Sequence, residues 1–163
     1  MAGLIVCGIV LVSLLLWHNL LLTRAQRDLH GLAERLRGRH PDLVLARGEA
    51  TIAVDRSELL DVLRALREDD AIALDFLSSV TATDWPGRAP RYWVVYELLS
   101  MAHRHRLRVK VGLPEGDERI TTVTSLFPTA NWHEREVFDL FGIVFEGHPD
   151  LRRIMLPEGW DGH

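Results

Sequence analysis

The chain has 163 residues, 47% of them hydrophobic and 26% charged, with a formal net charge of −4. That length suits one domain with a single core, and the composition excludes disordered and fibrous classes. The slight acidity argues against a dedicated DNA-binding domain; one cysteine, Cys7, excludes an internal disulfide, a Cys-rich zinc site and a self-contained iron–sulfur cluster.

Residues 1–23 carry no formally charged side chain. The run LIVCGIVLVSLLLWHNLLL (4–22) approaches the ~20 apolar residues that span a bilayer. Trp17, His18 and Asn19 lie near its far end, and Arg24 and Arg27 follow. The positive-inside rule then puts the N-terminus outside and the rest in the cytoplasm. A membrane-anchoring helix and a mis-assigned start are the two readings kept. A cleaved signal peptide lacks its basic n-region and small-residue cleavage site. The division is therefore 1–23 as an apolar segment and 24–163 as the folded domain, with its tail from about residue 130.

Leu29, Leu32, Ala33 and Leu36 recur at helical spacing within 25–38, and Gly38 and Pro41 stop that helix. Residues 43–54 read as two short strands around Arg47-Gly48-Glu49. Asp55 or Ser57 is placed as N-cap of a helix over 58–69 with an apolar face of Leu59, Leu60, Val62, Leu63 and Leu66. Strands follow over 73–85, closed by Pro86-Gly87, and over 91–100. Residues 103–113 alternate, with Arg104, Arg106, Arg108 and Lys110 on one face and His103, His105, Leu107, Val109 and Val111 on the other. The short link Ser100-Met101-Ala102 predicts an antiparallel hairpin. A β-prone run over 119–127 breaks at Pro128, and 130–143 reads as helix. The order α-β-β-α-β-β-β, with a helical and extended C-terminal stretch, defines an α+β two-layer domain on a mixed sheet.

The catalytic signals are weak. His133-Glu134 begins an H-E-x-x-H zinc motif, but Val137 stands where the second histidine belongs. His103 and His105 could chelate from one strand face, without a third ligand at a telling spacing. Glu136 and Asp139 sit three apart on a helix, and Arg135 and Asp139 four apart form a ready intrahelical ion pair. No nucleophile elbow, phosphate loop or dinucleotide fingerprint is present. Residues 88–110 hold six basic side chains against Glu97, with Tyr92, Trp93 and Tyr96 alongside. This could bind single strands or an acidic protein, or be a solvated strand face.

The stretch 131–163 carries seven acids against three arginines, with Phe138, Phe141, Ile143 and Phe145 among them. Beyond Gly147, Pro149 and Pro157 keep the chain extended. A tail of that kind is expected to lie on another protein.

Glu134, Arg135, Glu136, Asp139, Leu140, Phe141, His148, Arg152, Ile154 and Met155, with FGIVFEGHPDLRRIMLPEGWDGH around them, resemble the signature of one family. It is the 30-kDa subunit of proton-pumping NADH:quinone oxidoreductase, respiratory complex I. The resemblance runs over roughly residues 25–163. It implies a subunit of the hydrophilic arm on the cytoplasmic side of the bacterial inner membrane, packed on the 49-kDa subunit. It implies no cofactor on this chain, while the complex uses FMN, iron–sulfur clusters, NADH and quinone. It also implies no nucleic acid and no homo-oligomer.

The residues expected at the partner interface are Glu134, Arg135, Glu136, Phe138, Asp139, Phe141, His148, Arg152 and Arg153. The charged ones would pair across it, and the phenylalanines would anchor it. On that reading Arg135→Ala with Glu136→Ala weakens assembly and leaves the domain folded. The equivalent subunit of a membrane-bound hydrogenase or related dehydrogenase is the alternative, and a membrane-anchored binding module is the alternative of another class. Two features depart from the family pattern: the apolar N-terminus, and an end at Gly162-His163 without a Pro-Leu-Arg-Lys-Asp type continuation.

Overall fold

The computed structural model describes residues 20, 26, 28–157 and 159–163. The apolar segment 4–22 therefore lies outside the described residues, apart from Leu20. Among the described residues no helix is long and apolar enough to cross a membrane.

Helix α1 covers residues 28–37 and turns Leu32, Ala33 and Leu36 inward. The hairpin β1 (Val44–Ala46) and β2 (Glu49–Val54) closes through Arg47 and Gly48, both with positive φ (53° and 79°). Two consecutive left-handed residues make the tight turn whose twist matches paired strands. Helix α2 (Leu59–Glu68) buries Leu59, Leu63 and Leu66, each worth about 1.5–3 kcal/mol of transfer free energy. Its N-cap is Glu58, without a side-chain cap bond. Asp55 instead accepts the backbone N–H and the hydroxyl of Ser57, closing the turn before the helix, so neither expected residue caps it.

Strands β3 (Phe76–Asp84), β4 (Tyr92–Leu99) and β5 (Arg106–Leu113) form an antiparallel meander. The Pro86-Gly87 turn is closed by the Arg88 N–H to the Trp85 carbonyl (3.1 Å), with Gly87 at φ 77°. The five-stranded order is β1-β2-β5-β4-β3, and β2 runs parallel to β5. Alternation in β5 begins at Arg106, not at His103. Arg104 adopts φ 58° in the loop before it, and the link between the strands is longer than three residues. The core face carries Ile52, Leu77, Val80, Val94, Tyr96, Leu107, Val109 and Val111, all 3% exposed or less.

The expected element order holds as far as β5. After it come β6 (Arg119–Thr121), α3 (Ala130–Phe141) and β7 (Val144–Glu146); β7 pairs parallel with β6 in a second small sheet. Of the β-prone run 119–127 only three residues pair as strand, and β7 is an addition to the expected elements. Gly142 ends α3 in the left-handed conformation (φ 71°), its N–H bonded to the Phe138 carbonyl (2.9 Å). Helix α3 lies against β3, with Thr129 at its start donating to the Leu77 carbonyl (3.3 Å).

Candidate functional site: helix α3 and the tail it holds

Helical spacing puts Ala130, Glu134 and Val137 on the inward side of α3, while Asp139 lies on the opposite side and is buried there by residues 154–156 of the tail. Glu134 and Asp139 are fully buried and Arg135 is 4% exposed. A buried charge needs a compensating partner. All three, expected at a partner interface, have partners within the chain.

Glu134 meets the loop after β6. One carboxylate oxygen accepts the Val123 N–H (2.8 Å), and the other is bonded to the Thr122 hydroxyl. The His148 ring, itself enclosed, brings Nε2 to 3.9 Å from Glu134 and 3.1 Å from the Asn131 carbonyl. Burial pushes the Glu134 carboxyl up to about 7, against the opposing effect of the Thr122 and Val123 donors. Tyr96, from β4, is wholly buried beneath α3. Burial, with the nearby Glu134 charge adding to it, holds its phenol well above its ordinary value.

Asp139 meets the tail. Its Oδ2 accepts the backbone N–H groups of Ile154 (2.8 Å), Met155 (2.6 Å) and Leu156 (3.0 Å). Arg153 Nε lies 3.7 Å from Oδ1. Burial favours the neutral acid, but the three N–H groups and Arg153 outweigh it and hold the carboxyl below its ordinary value. The predicted intrahelical Arg135–Asp139 pair does not form. Arg135 donates from Nε to the Arg152 carbonyl (3.1 Å), approaches Asp150 at 3.9 Å and stacks on Trp132 with its guanidinium 5.0 Å from the ring centre.

The remaining predicted residues divide. Phe138 and Phe141 are half-buried against the core, and Phe138 meets the His163 ring edge-on at 6.0 Å. Neither stands clear as an apolar anchor. Glu136 is half-exposed. Arg152 is exposed and pairs with Asp150 at 2.9 Å. Arg153 donates to the Trp160 (3.1 Å) and Gly162 (2.8 Å) carbonyls. The tail thus folds back on its own helix, where composition and proline spacing alone gave it no internal support. Sequence reasoning missed Thr122, Val123, Asn131 and Tyr96, because a β-prone Thr-Thr-Val-Thr run carries no sign of which carboxylate it will receive. It also missed the apolar exposure: Trp132 is 64% exposed, Met155 60%, Trp160 54% and Leu140 38%. Trp132, Glu136 and Leu140 share one outward stripe of α3.

His103 and His105 stack at 5.6 Å and turn Nε2 to the Asp70 (2.9 Å) and Ile72 (2.7 Å) carbonyls. Among the described residues no group of three His, Cys, Asp or Glu could hold a metal. The basic side chains of the sheet are largely engaged: Arg108 pairs with Glu49 and Glu97, Arg91 with Asp84 and Glu115, and Lys110 lies over Trp93.

Fold and site together define an α+β module with a five-stranded mixed sheet, ending from residue 130 in a helix and a tail joined by buried charges. Residues 52–163 match the family model of the respiratory-chain NADH dehydrogenase 30-kDa subunit. The chain is 45% identical over 134 residues to the C subunit of NADH-quinone oxidoreductase from Roseiflexus sp. (strain RS-1), covering 80% of this chain and 77% of that one. It resembles the trypsin-resistant fragment (1–134) of Nqo5 at 34% identity and TM-score 0.65, over 76% of this chain and 99% of that one. It also resembles a chain of the membrane-bound sulfane sulfur reductase, an archaeal respiratory membrane complex. That match has 25% identity and TM-score 0.61, over 79% of this chain and 74% of the other. The chain belongs to the 30-kDa-subunit family of respiratory-chain NADH dehydrogenase, and its role is that of a structural subunit of complex I.

Proposed function

We propose that this chain is a non-catalytic assembly subunit in the hydrophilic arm of a proton-pumping NADH:quinone oxidoreductase, seated on the 49-kDa subunit through the outer face of α3 and the tail. Such a complex carries electrons from NADH through FMN and iron–sulfur centres to quinone and translocates protons; this chain contributes architecture. The observation that carries the docking reading is the exposed apolar set Trp132, Leu140, Met155 and Trp160 beside a tail already fixed by Arg135, Asp139 and Arg153. A preorganised apolar surface with a polar rim is what a stable interface needs. In the expected set, Glu136 and Arg152 then act directly at the rim. Glu134, Arg135, Asp139, His148 and Arg153 act by holding the surface in shape. Phe138 and Phe141 support it from below.

The chain would lie on the cytoplasmic side of a bacterial inner membrane as a peripheral subunit, with residues 4–22 as an added anchor. The likeness to the sulfane sulfur reductase chain supports a second reading, the equivalent subunit of a related membrane-bound respiratory or hydrogenase complex. Native electrophoresis of gently solubilised membranes with the chain tagged separates these. Co-migration with flavin- and cluster-bearing subunits is expected. Nickel–iron partners would move the assignment to hydrogenase relatives, and migration as a lone small protein would refute both. Repeating it without residues 1–23 tests the anchor.

A further inference from the structure

We propose that Glu134, Thr122 and His148 form a proton-binding site inside the domain, whose occupancy is passed through the His148 ring to the first residues of the tail. The proposal is independent of any docking partner.

The site can hold its proton or give it up without moving a heavy atom. The Thr122 hydroxyl lies between Glu134 and the Thr124 hydroxyl (3.0 Å to the latter), and the Thr124 N–H also points at it (3.2 Å). With Glu134 ionised, Thr122 donates its single proton to the carboxylate. With Glu134 protonated, the acid donates to the Thr122 oxygen and the Thr122 proton turns to Thr124. Hydroxyl rotation thus keeps the pair bonded in both states. The Val123 N–H (2.8 Å) stays on the other carboxyl oxygen throughout.

His148 has no such freedom. Its Nδ1 accepts the Asp150 N–H (3.0 Å), and a backbone amide can only donate, so Nδ1 carries a lone pair and Nε2 the proton. That Nε2–H bonds the Asn131 carbonyl (3.1 Å), and the Glu134 carboxyl stands 3.9 Å from Nε2, outside hydrogen-bond reach but near enough for its charge to act on the ring. An ionised Glu134 polarises the ring through this gap, and a neutral one does not. The change reaches Asp150, at the start of the tail.

Few charges compete for the site. From β4 comes the Tyr96 phenol, which has no hydrogen-bond partner among the described residues. From the segment after β7 comes His148. The loop after β6 contributes only hydroxyls and one amide, and the inward face of β3 only Leu77, Val80 and Ala82. On α3 itself Arg135 turns away to Trp132 and Asp150. The neutral-range position of the Glu134 carboxyl agrees with this enclosure.

The test is a pH titration of the full chain by NMR, following the glutamate carboxyl carbons, the His148 ring nitrogens and the Asp150 amide. The expected result is one glutamate with a midpoint near neutrality, far above the rest. The His148 and Asp150 signals should move at the same midpoint. Glu134→Gln should remove that common transition, and Thr122→Val should shift its midpoint upward by removing a donor to the carboxylate. A Glu134 carboxyl that titrates with the surface glutamates would overturn the proposal, as would an Asp150 amide indifferent to it. Both readings come from the unmodified chain, so a variant that fails to fold does not blunt them.

Discussion

The Oδ2 atom of Asp139 lies 2.6 Å from the backbone nitrogen of Met155, and the N–H groups of Ile154 and Leu156 converge on the same oxygen. One helical side chain thereby fixes three consecutive amides of a segment that has no regular structure of its own. Hydrogen bonds to an ionised acceptor are the strong kind. Asp139→Ala leaves three amides unpaired and should cost about 3 kcal/mol or more by chemical denaturation. Asp139→Asn keeps an acceptor and should cost roughly half as much. A loss below about 1 kcal/mol for the alanine variant would show that water replaces the carboxylate freely.

Arg135 ties the tail at a second point. Arg135→Lys keeps the charge but loses the planar stack on Trp132 and the Nε donor to the Arg152 carbonyl. The prediction is about 1–2 kcal/mol of destabilisation for lysine and more for alanine, with faster proteolysis between residues 148 and 163. The same measurement tests the expectation that Arg135→Ala with Glu136→Ala leaves the domain intact. Equal stability of wild type and Arg135→Ala would restore the interface role.

Glu134 makes stability depend on pH in a definite direction. Its folded value of about 7 exceeds the ordinary 4.5, so between these values the folded chain binds more protons than the unfolded one. Stability contributed by the neutral acid is complete below about pH 4.5 and is lost as pH rises through 7. The change is on the order of 3 kcal/mol for this group. Thermal unfolding at pH 5.5, 7 and 8.5 should show the decline, and Glu134→Gln should flatten it. A wild type whose stability rises over this range would contradict the sign.

Gly142 should resist substitution. At φ 71° an added Cβ is strained, and it would meet the His163 ring at 2.7 Å. The ring can swing aside, so the backbone sets the cost, about 1–2 kcal/mol for Gly142→Ala. The same cost is expected in a His163→Ala background, and full recovery there would assign it to the ring.

The sequence carried the local geometry well. The apolar spacing of Leu59, Leu63 and Leu66 and the alternation Leu107, Val109, Val111 each name a face, because a helix or strand shows its period directly. The pairing of β2 with β5 was not legible, since nothing near Ile52 refers to Val109. The internal partners of the candidate site residues were not legible either. Acidic residues belong outside by default, and the rule fails at Glu134 and Asp139 only because partners from residues 122–123 and 154–156 arrive from other parts of the chain. The resemblance pointed to these positions without saying that several of them serve the fold first.

The parallel pairing of β2 with β5 also sets an order of events during synthesis. The hairpin β1–β2 leaves the ribosome early, but one edge of β2 stays open until residues 107–111 follow, after β3 and β4. Through that interval the nascent chain offers a row of unpaired amides and carbonyls beside Ala50 and Ile52, the kind of edge on which chains join one another. A chain halted before β5 therefore keeps that edge of β2 open for longer.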